Sequence, residues 1–182
     1  MKNQEVTLKY VVAGILTVLI TWFIHEFTHW LTSESLGYES FMRLNSVGPL
    51  NGDISTETHK AIISISGPII TILQGIIVFI LLKSKGWNKY LYLFLFTAFY
   101  MRFFAGLMNF LNPNDEARFG QFLGIGTHTV SLIVSIFLFS MVYIISKKHK
   151  LHWKFQLWTA IIILVTSWTV ILLDQYFKIR II

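Results

Sequence analysis

Cysteine is absent from the 182 residues, which excludes disulfides and any thiolate nucleophile or ligand. Charge is scarce: 13% of residues are charged against 54% hydrophobic, and the mean hydropathy is +0.62. A soluble domain of this length does not carry so little charge. The sequence is therefore that of an integral membrane protein, and its length predicts spans rather than domains. The formal charge of +6 is no nucleic-acid signal. Most Lys and Arg stand in short clusters between apolar runs, as in loops that flank membrane helices. Internal repeats and low-complexity tracts are also missing.

What is present is long apolar runs. A span needs about 20 such residues, and five stretches qualify: Leu8–Leu31, Ala61–Leu82, Tyr90–Leu111, Phe122–Ile145 and Phe155–Tyr176. The first begins like a signal peptide, with Lys2 and Lys9 before the run, but it is too long and has no small-x-small cleavage site. It counts as a helix of the mature protein. The expected fold is all-α: a single membrane-embedded domain over 1–182, a bundle of about five transmembrane helices. The segment Gly37–Thr58 is polar, alternates around Phe41–Val47 and carries an Asn51-Gly52 turn signal. It reads as a β-hairpin at the membrane surface or as a plain loop.

Polar residues inside the runs fall on stripes. Thr21, His25, Thr28, His29 and Thr32 share one helical face of the first. Ser64, Gly67, Thr71 and Gln74 do so in the second, Arg102, Asn109 and Asn112 in the third, and Gly124, His128, Ser131 and Ser135 in the fourth. Small and hydroxylic residues commonly join membrane helices. That account does not cover two His, a Glu and an Arg, because intramembrane ionisable groups are costly and mark function. A buried Arg102 needs a partner, and Glu26, Asp115 and Glu116 are the candidates; a structural pair is expected.

His25-Glu26-Phe27-Thr28-His29 is an H-E-x-x-H pattern. Four residues apart on a helix, both imidazoles project from one face and can grip one metal ion, with Glu26 beside them as a base. The pattern is that of zinc hydrolases, in which zinc serves as a Lewis acid. A pair of histidines bonded to Glu26 within a bundle is the plain structural alternative. Catalytic zinc takes a third protein ligand. Asp115 is the favoured candidate, because the Asn112-Pro113-Asn114 break ends the third helix and a loop there turns a carboxylate back. Glu116, Asp53, Glu57, His59 and His128 are the others; Asp174, near the far end of the last run, reads as an interface residue.

The H-E-x-x-H in one span, Ser66-Gly67-Pro68 in a later one, and an Asn/Pro-rich segment with Asp after the next together resemble the site-2 protease family. The likeness covers about Trp22 to Arg118. It implies a three-helix metalloprotease core, about 8–118, with extra helices over about 122–177 that have no counterpart. It implies intramembrane zinc metalloendopeptidase activity on a peptide bond in or near a transmembrane segment of a substrate protein. It implies zinc held by His25, His29 and Asp115, Glu26 as the catalytic base, and Asn109 or Asn112 positioning the substrate peptide. Glu116 stands where the family has Gly and remains an alternative ligand. The implied partners are a transmembrane protein substrate and the lipid bilayer, and the implied location a bacterial or archaeal cell membrane.

A second reading is a zinc-binding membrane protein without hydrolysis, a pseudo-protease or a transporter, with His59 and His128 continuing a path. Glu26 has no task in transport, and inverted halves are absent. Orientation follows from charge. Lys2, Lys9, Lys83, Lys85, Lys89, Lys147, Lys148, Lys150 and Lys154 fall on the side of the N-terminus and outnumber Arg43, Lys60, Arg118, Lys178 and Arg180 on the other. The positive-inside rule then puts the N-terminus in the cytoplasm and the His25/His29 end of the first span toward the outer face.

Overall fold

The computed structural model describes residues 4–182. Its elements in chain order are α1 (Leu8–Ser35), β1 (Ser40–Met42), β2 (Val47–Pro49), α2 (Glu57–Ser84), α3 (Lys89–Met108), α4 (Asp115–Phe122), α5 (Thr129–His149) and α6 (Trp153–Phe177). Among the described residues, α1, α2, α3, α5 and α6 are long and apolar enough to cross a membrane. The first three and the last agree with the hydropathy reading to within a few residues at each end.

The fourth differs. The expected start at Phe122 is the end of α4, and the spanning helix begins only at Thr129. Gly124 and Gly126 adopt φ of 70° and 92°, a left-handed backbone that an L side chain resists and no α-helix contains. The stripe expected there is cut accordingly: Gly124 and His128 precede the helix, and Ser131 and Ser135 are its buried part.

Polarity is inverted relative to a soluble bundle. Thr17, Thr21, His25, Glu26, His29 and Ser33 of α1 are buried, while Leu16, Ile20 and Ile24 face outward. This suits a hydrocarbon solvent, where exposed apolar surface costs nothing and polar groups must find partners inside. One end of the bundle is filled: Tyr10, Leu82, Tyr92, Leu93, Leu138, Ile145 and Phe155 pack as a continuous apolar cluster. The other end is not, and a cavity opens there.

The Gly37–Thr58 segment forms a hairpin. β1 and β2 pair antiparallel in the register Ser40↔Pro49, Phe41↔Gly48 and Met42↔Val47. The turn is at Arg43–Ser46, closed by Arg43 N–H donating to the Ser46 carbonyl at 2.8 Å; the Asn51-Gly52 turn lies beyond the strands. Side chains of α1 anchor the hairpin: Trp22 Nε1–H donates to Asn45 Oδ1 at 2.8 Å, Trp30 Nε1–H to the Ser40 carbonyl at 3.2 Å, and the Glu34 carboxylate accepts from Ser40 N–H at 2.7 Å. Its tip therefore reaches back along α1 to the level of Trp22, one turn from His25.

The tail past α6 completes the sheet. Ile181 N–H donates to the Met42 carbonyl at 2.8 Å and Met42 N–H to the Ile182 carbonyl at 3.1 Å. Glu39–Leu50 and Arg43–Ser46 bonds bracket the ladder, so Met42 and Ser40 turn their outward groups to the tail and to α1. Val47 and Pro49 turn theirs the opposite way. Among the described residues that outer edge of β2 has no partner.

Candidate metal centre and cavity

Three donor atoms meet between α1 and α4. His25 Nε2 and His29 Nε2 are 3.2 Å apart, and Asp115 Oδ2 is 3.3 Å from the first and 3.2 Å from the second. The spacing of four along α1 aims both rings at one point. The break after α3 aims the carboxylate: Asn109 Oδ1 accepts from Asn114 N–H at 3.0 Å, Asn114 Nδ2–H donates to the Ala105 carbonyl, and Asn114 Oδ1 caps α4 by accepting from Ala117 N–H at 3.2 Å. Asp115 is thereby fixed as the first residue of α4.

The far nitrogens of the rings are engaged. His25 Nδ1–H donates to Thr71 Oγ1 at 3.1 Å, whose own hydroxyl donates to the Gly67 carbonyl at 3.0 Å. His29 Nδ1–H donates to the Ile63 carbonyl at 2.6 Å. These partners assign the tautomers, so each neutral imidazole turns a bare Nε2 lone pair to the centre. Three electron-rich atoms in van der Waals contact repel unless a cation lies between them. A tetrahedral ion with bonds of about 2.0–2.1 Å spaces its ligand atoms about 3.3–3.4 Å apart, which is the triangle found here. His25, His29 and Asp115 thus form a group that could hold a metal ion.

The other oxygen of Asp115 is taken. Arg118, one turn along α4, donates from Nη2 to Asp115 Oδ1 at 2.6 Å and from Nε to Ser64 Oγ on α2 at 3.1 Å. This leaves Oδ2 alone for the centre. Sequence reading treats Arg118 only as a loop charge; its i,i+3 spacing from Asp115 is the signal of its place beside the group. Glu116 points elsewhere. It is fully buried, and Arg102 Nη1–H donates to its Oε1 at 3.0 Å. Of the three candidate partners of Arg102, the structure selects Glu116, and the same contact withdraws Glu116 from the metal group.

Of the remaining candidates, Asp53 lines the cavity described below but is not one of the three converging donors, and the others lie apart. His59 accepts from or donates to Tyr38 Oη at 2.8 Å, Glu57 pairs with Lys60, and His128 stacks on Phe110. Asp174 is buried on α6, with Ser46 Oγ–H directed to its Oδ2 at 3.5 Å.

A cavity of about 590 Å³ opens on the trio. Glu26, Ser64, Arg102, Asn114 and Arg118 line it with the three ligand candidates; Val47 and Pro49 of β2 form one rim, and Trp168, Ile171 and Gln175 of α6 an opposite wall. Glu26 is 6% exposed, and its carboxylate makes no hydrogen bond among the described residues. Asn109 and Asn112 do not line the cavity. Asn109 is buried, with Nδ2–H donating to Ser131 Oγ at 2.9 Å and Oδ1 taken by Asn114; Asn112 is exposed beyond α3. Asn114, of the same segment, does line it.

Gly67 is where α2 crosses the site. A Cβ there would run into His29 Nε2 and the His25 ring, so only hydrogen allows α2 so close. Gly67→Ala is expected to displace both imidazoles and to cut metal affinity by about 10–100-fold, the range for disturbed ligand support. Elemental analysis of the purified variant reads this directly; unchanged metal content would show that the helices part without disturbing the trio.

Taken together, the chain is a helical bundle compatible with a multi-pass membrane protein, with a candidate metal centre at the open end. Compared with known protein families, with curated proteins and with solved structures, it matches none.

Proposed function

We propose that the protein is an intramembrane zinc metalloendopeptidase of the kind that the site-2 protease resemblance implies, cutting a substrate protein in or near a transmembrane segment. The single observation that carries this reading is the meeting of His25 Nε2, His29 Nε2 and Asp115 Oδ2 at 3.2–3.3 Å, with a carboxylate that has no hydrogen-bond partner among the described residues, Glu26, in the same cavity. Nitrogen–nitrogen–carboxylate sets suit zinc and leave a position open for reaction. Zinc, when bound, supplies the Lewis acid that polarises the scissile carbonyl. Glu26 takes the proton of the attacking water and returns it to the leaving amide nitrogen.

A peptide must be extended to be attacked. The outer edge of β2 offers the Val47 N–H and the Val47 and Pro49 carbonyls to such a strand, at the rim of the cavity. The tail and α1 already occupy the β1 edge, so the hairpin can accept a strand on one side only. Unwinding-prone substrate spans would be favoured.

The test is cleavage of a co-expressed library of membrane substrates by the wild type and by Glu26→Gln, beside the zinc content of both proteins. Zinc in both and cleavage only by the wild type is the expected result. Zinc bound without any cleavage would favour the non-hydrolytic reading.

The site lies at the end of α1 that carries the hairpin, so topology decides which compartment it faces. Arg118 is committed to Asp115, which removes one positive charge from the weaker side of the charge comparison. An Asn51→Cys protein carries the sole thiol, and Asn51 is exposed. It is expected to react with a membrane-impermeant reagent on intact cells. Reaction only after the membrane is opened would place the site toward the cytosol.

A further inference from the structure

The Arg102–Glu116 pair holds α3 to α4, and that accounts for one of the five N–H groups of the guanidinium. Nη1 donates to Glu116. Nε is buried with no partner, and Nη2 has none among the described residues. Arg102 nevertheless belongs to the cavity wall, together with His25, Glu26, His29 and Asp115. A structural ion pair would use its fork on the carboxylate in two parallel bonds. Here Glu116 Oε2 is also left without a partner. Glu116 thus holds one corner of the fork, and the residue that carries the unused donors lines the cavity. A fixed cation that is itself buried and has unused donors is suited to stabilise negative charge that develops during reaction, because it is already in place.

We infer that Arg102 is a catalytic residue that donates from Nη2 to the oxyanion formed at the scissile carbonyl. This rests on the proteolytic reading above. In the step concerned, the oxygen of water bonds to the carbonyl carbon and its proton passes to Glu26. The carbonyl π pair moves onto oxygen, where Nη2–H of Arg102 meets it. On collapse the pair re-forms the carbonyl, the C–N bond breaks, and the nitrogen takes the proton from Glu26. Glu116 anchors the guanidinium in this role and touches no reacting atom.

The test compares Glu116→Gln, Arg102→Lys and the double variant Arg102→Met/Glu116→Met, which replaces the pair by apolar side chains and leaves no lone buried charge. Zinc content, kcat and KM on a peptide that the wild type cleaves, and binding of a phosphinate analogue of that peptide are measured. The double variant is expected to keep its zinc and its KM, to lose about 10²–10³-fold in kcat, and to bind the phosphinate weaker by a similar factor. Glu116→Gln, which loosens the anchor of Arg102 but keeps the guanidinium, is expected to lose less in kcat than the double variant.

A zinc-loaded double variant with wild-type kcat and phosphinate affinity overturns the assignment and makes the pair structural. Should the double variant fail to accumulate, Arg102→Lys decides: it keeps the charge but lacks the second donor arm, so undiminished kcat overturns the assignment and a loss at constant KM upholds it. A wild type that cleaves no peptide defeats the proteolytic reading instead. Arg102 then has no oxyanion to meet, and the assignment falls with that reading.

Discussion

Glu26→Gln is expected to keep its metal and to lose cleavage by about 10²–10⁴-fold, the share of a positioned general base. The separation of the two effects follows from the geometry. Glu26 supplies none of the three atoms at the centre, and its carboxylate has no hydrogen-bond partner among the described residues to lose. Glutamine has the same shape and fills the same space, so the imidazoles and Asp115 have no reason to move. What disappears is the capacity to accept a proton. Metal analysis, thermal stability and KM should therefore match the wild type while kcat falls. Wild-type kcat in this variant would end the hydrolase reading; loss of metal would mean that Glu26 supports the ligand group rather than the reaction.

Asp115→Ala and Glu116→Ala are expected to fail in opposite ways, although the residues are adjacent. Asp115→Ala removes one of three ligand atoms and frees the half-exposed Arg118, which water can solvate. Metal occupancy should collapse while the fold persists. Glu116→Ala leaves the metal group intact but strands Arg102 without its carboxylate in the interior. Truncating one member of a buried pair costs on the order of 3–5 kcal/mol, so this variant should melt earlier or accumulate poorly, with metal still bound in what folds. Equal metal loss in both would contradict the arrangement of α4, and metal loss in Glu116→Ala alone would move the third ligand to Glu116.

The spans were legible because hydrocarbon demands long apolar runs whatever the neighbours. The approach of His25, His29 and Asp115 was legible for two local reasons: a helical repeat of four and a break at Pro113. Readings that depended on tertiary contacts fared worse. The hairpin turn falls at Arg43–Ser46, a loop with no Gly or Pro, because Trp22 holds Asn45 and Trp30 and Glu34 hold Ser40. The Asn51-Gly52 signal marks a real left-handed residue, with φ of 66° at Gly52, outside the ladder. Asn109 shares a stripe with Arg102, but the stripe faces α5 at that level, and Ser131 claims its amide. The fourth span starts late because two glycines adopt a backbone that hydropathy does not record. Nothing local marks Trp168 and Ile171 as cavity walls.

The strand-like pairing of Ile181 and Ile182 with Met42 has a consequence for biogenesis. His25, His29 and Asp115 have all been synthesised by residue 115, with the whole of α5 and α6 still to come. A nascent chain at that stage could gather the metal group, yet its hairpin would present Met42 as a second open edge. Only when α6 has inserted and residues 181–182 have crossed back to β1 does the hairpin become one-sided. The order of synthesis thereby leaves the hairpin with two open edges until α6 is in place and residues 181–182 have paired with Met42.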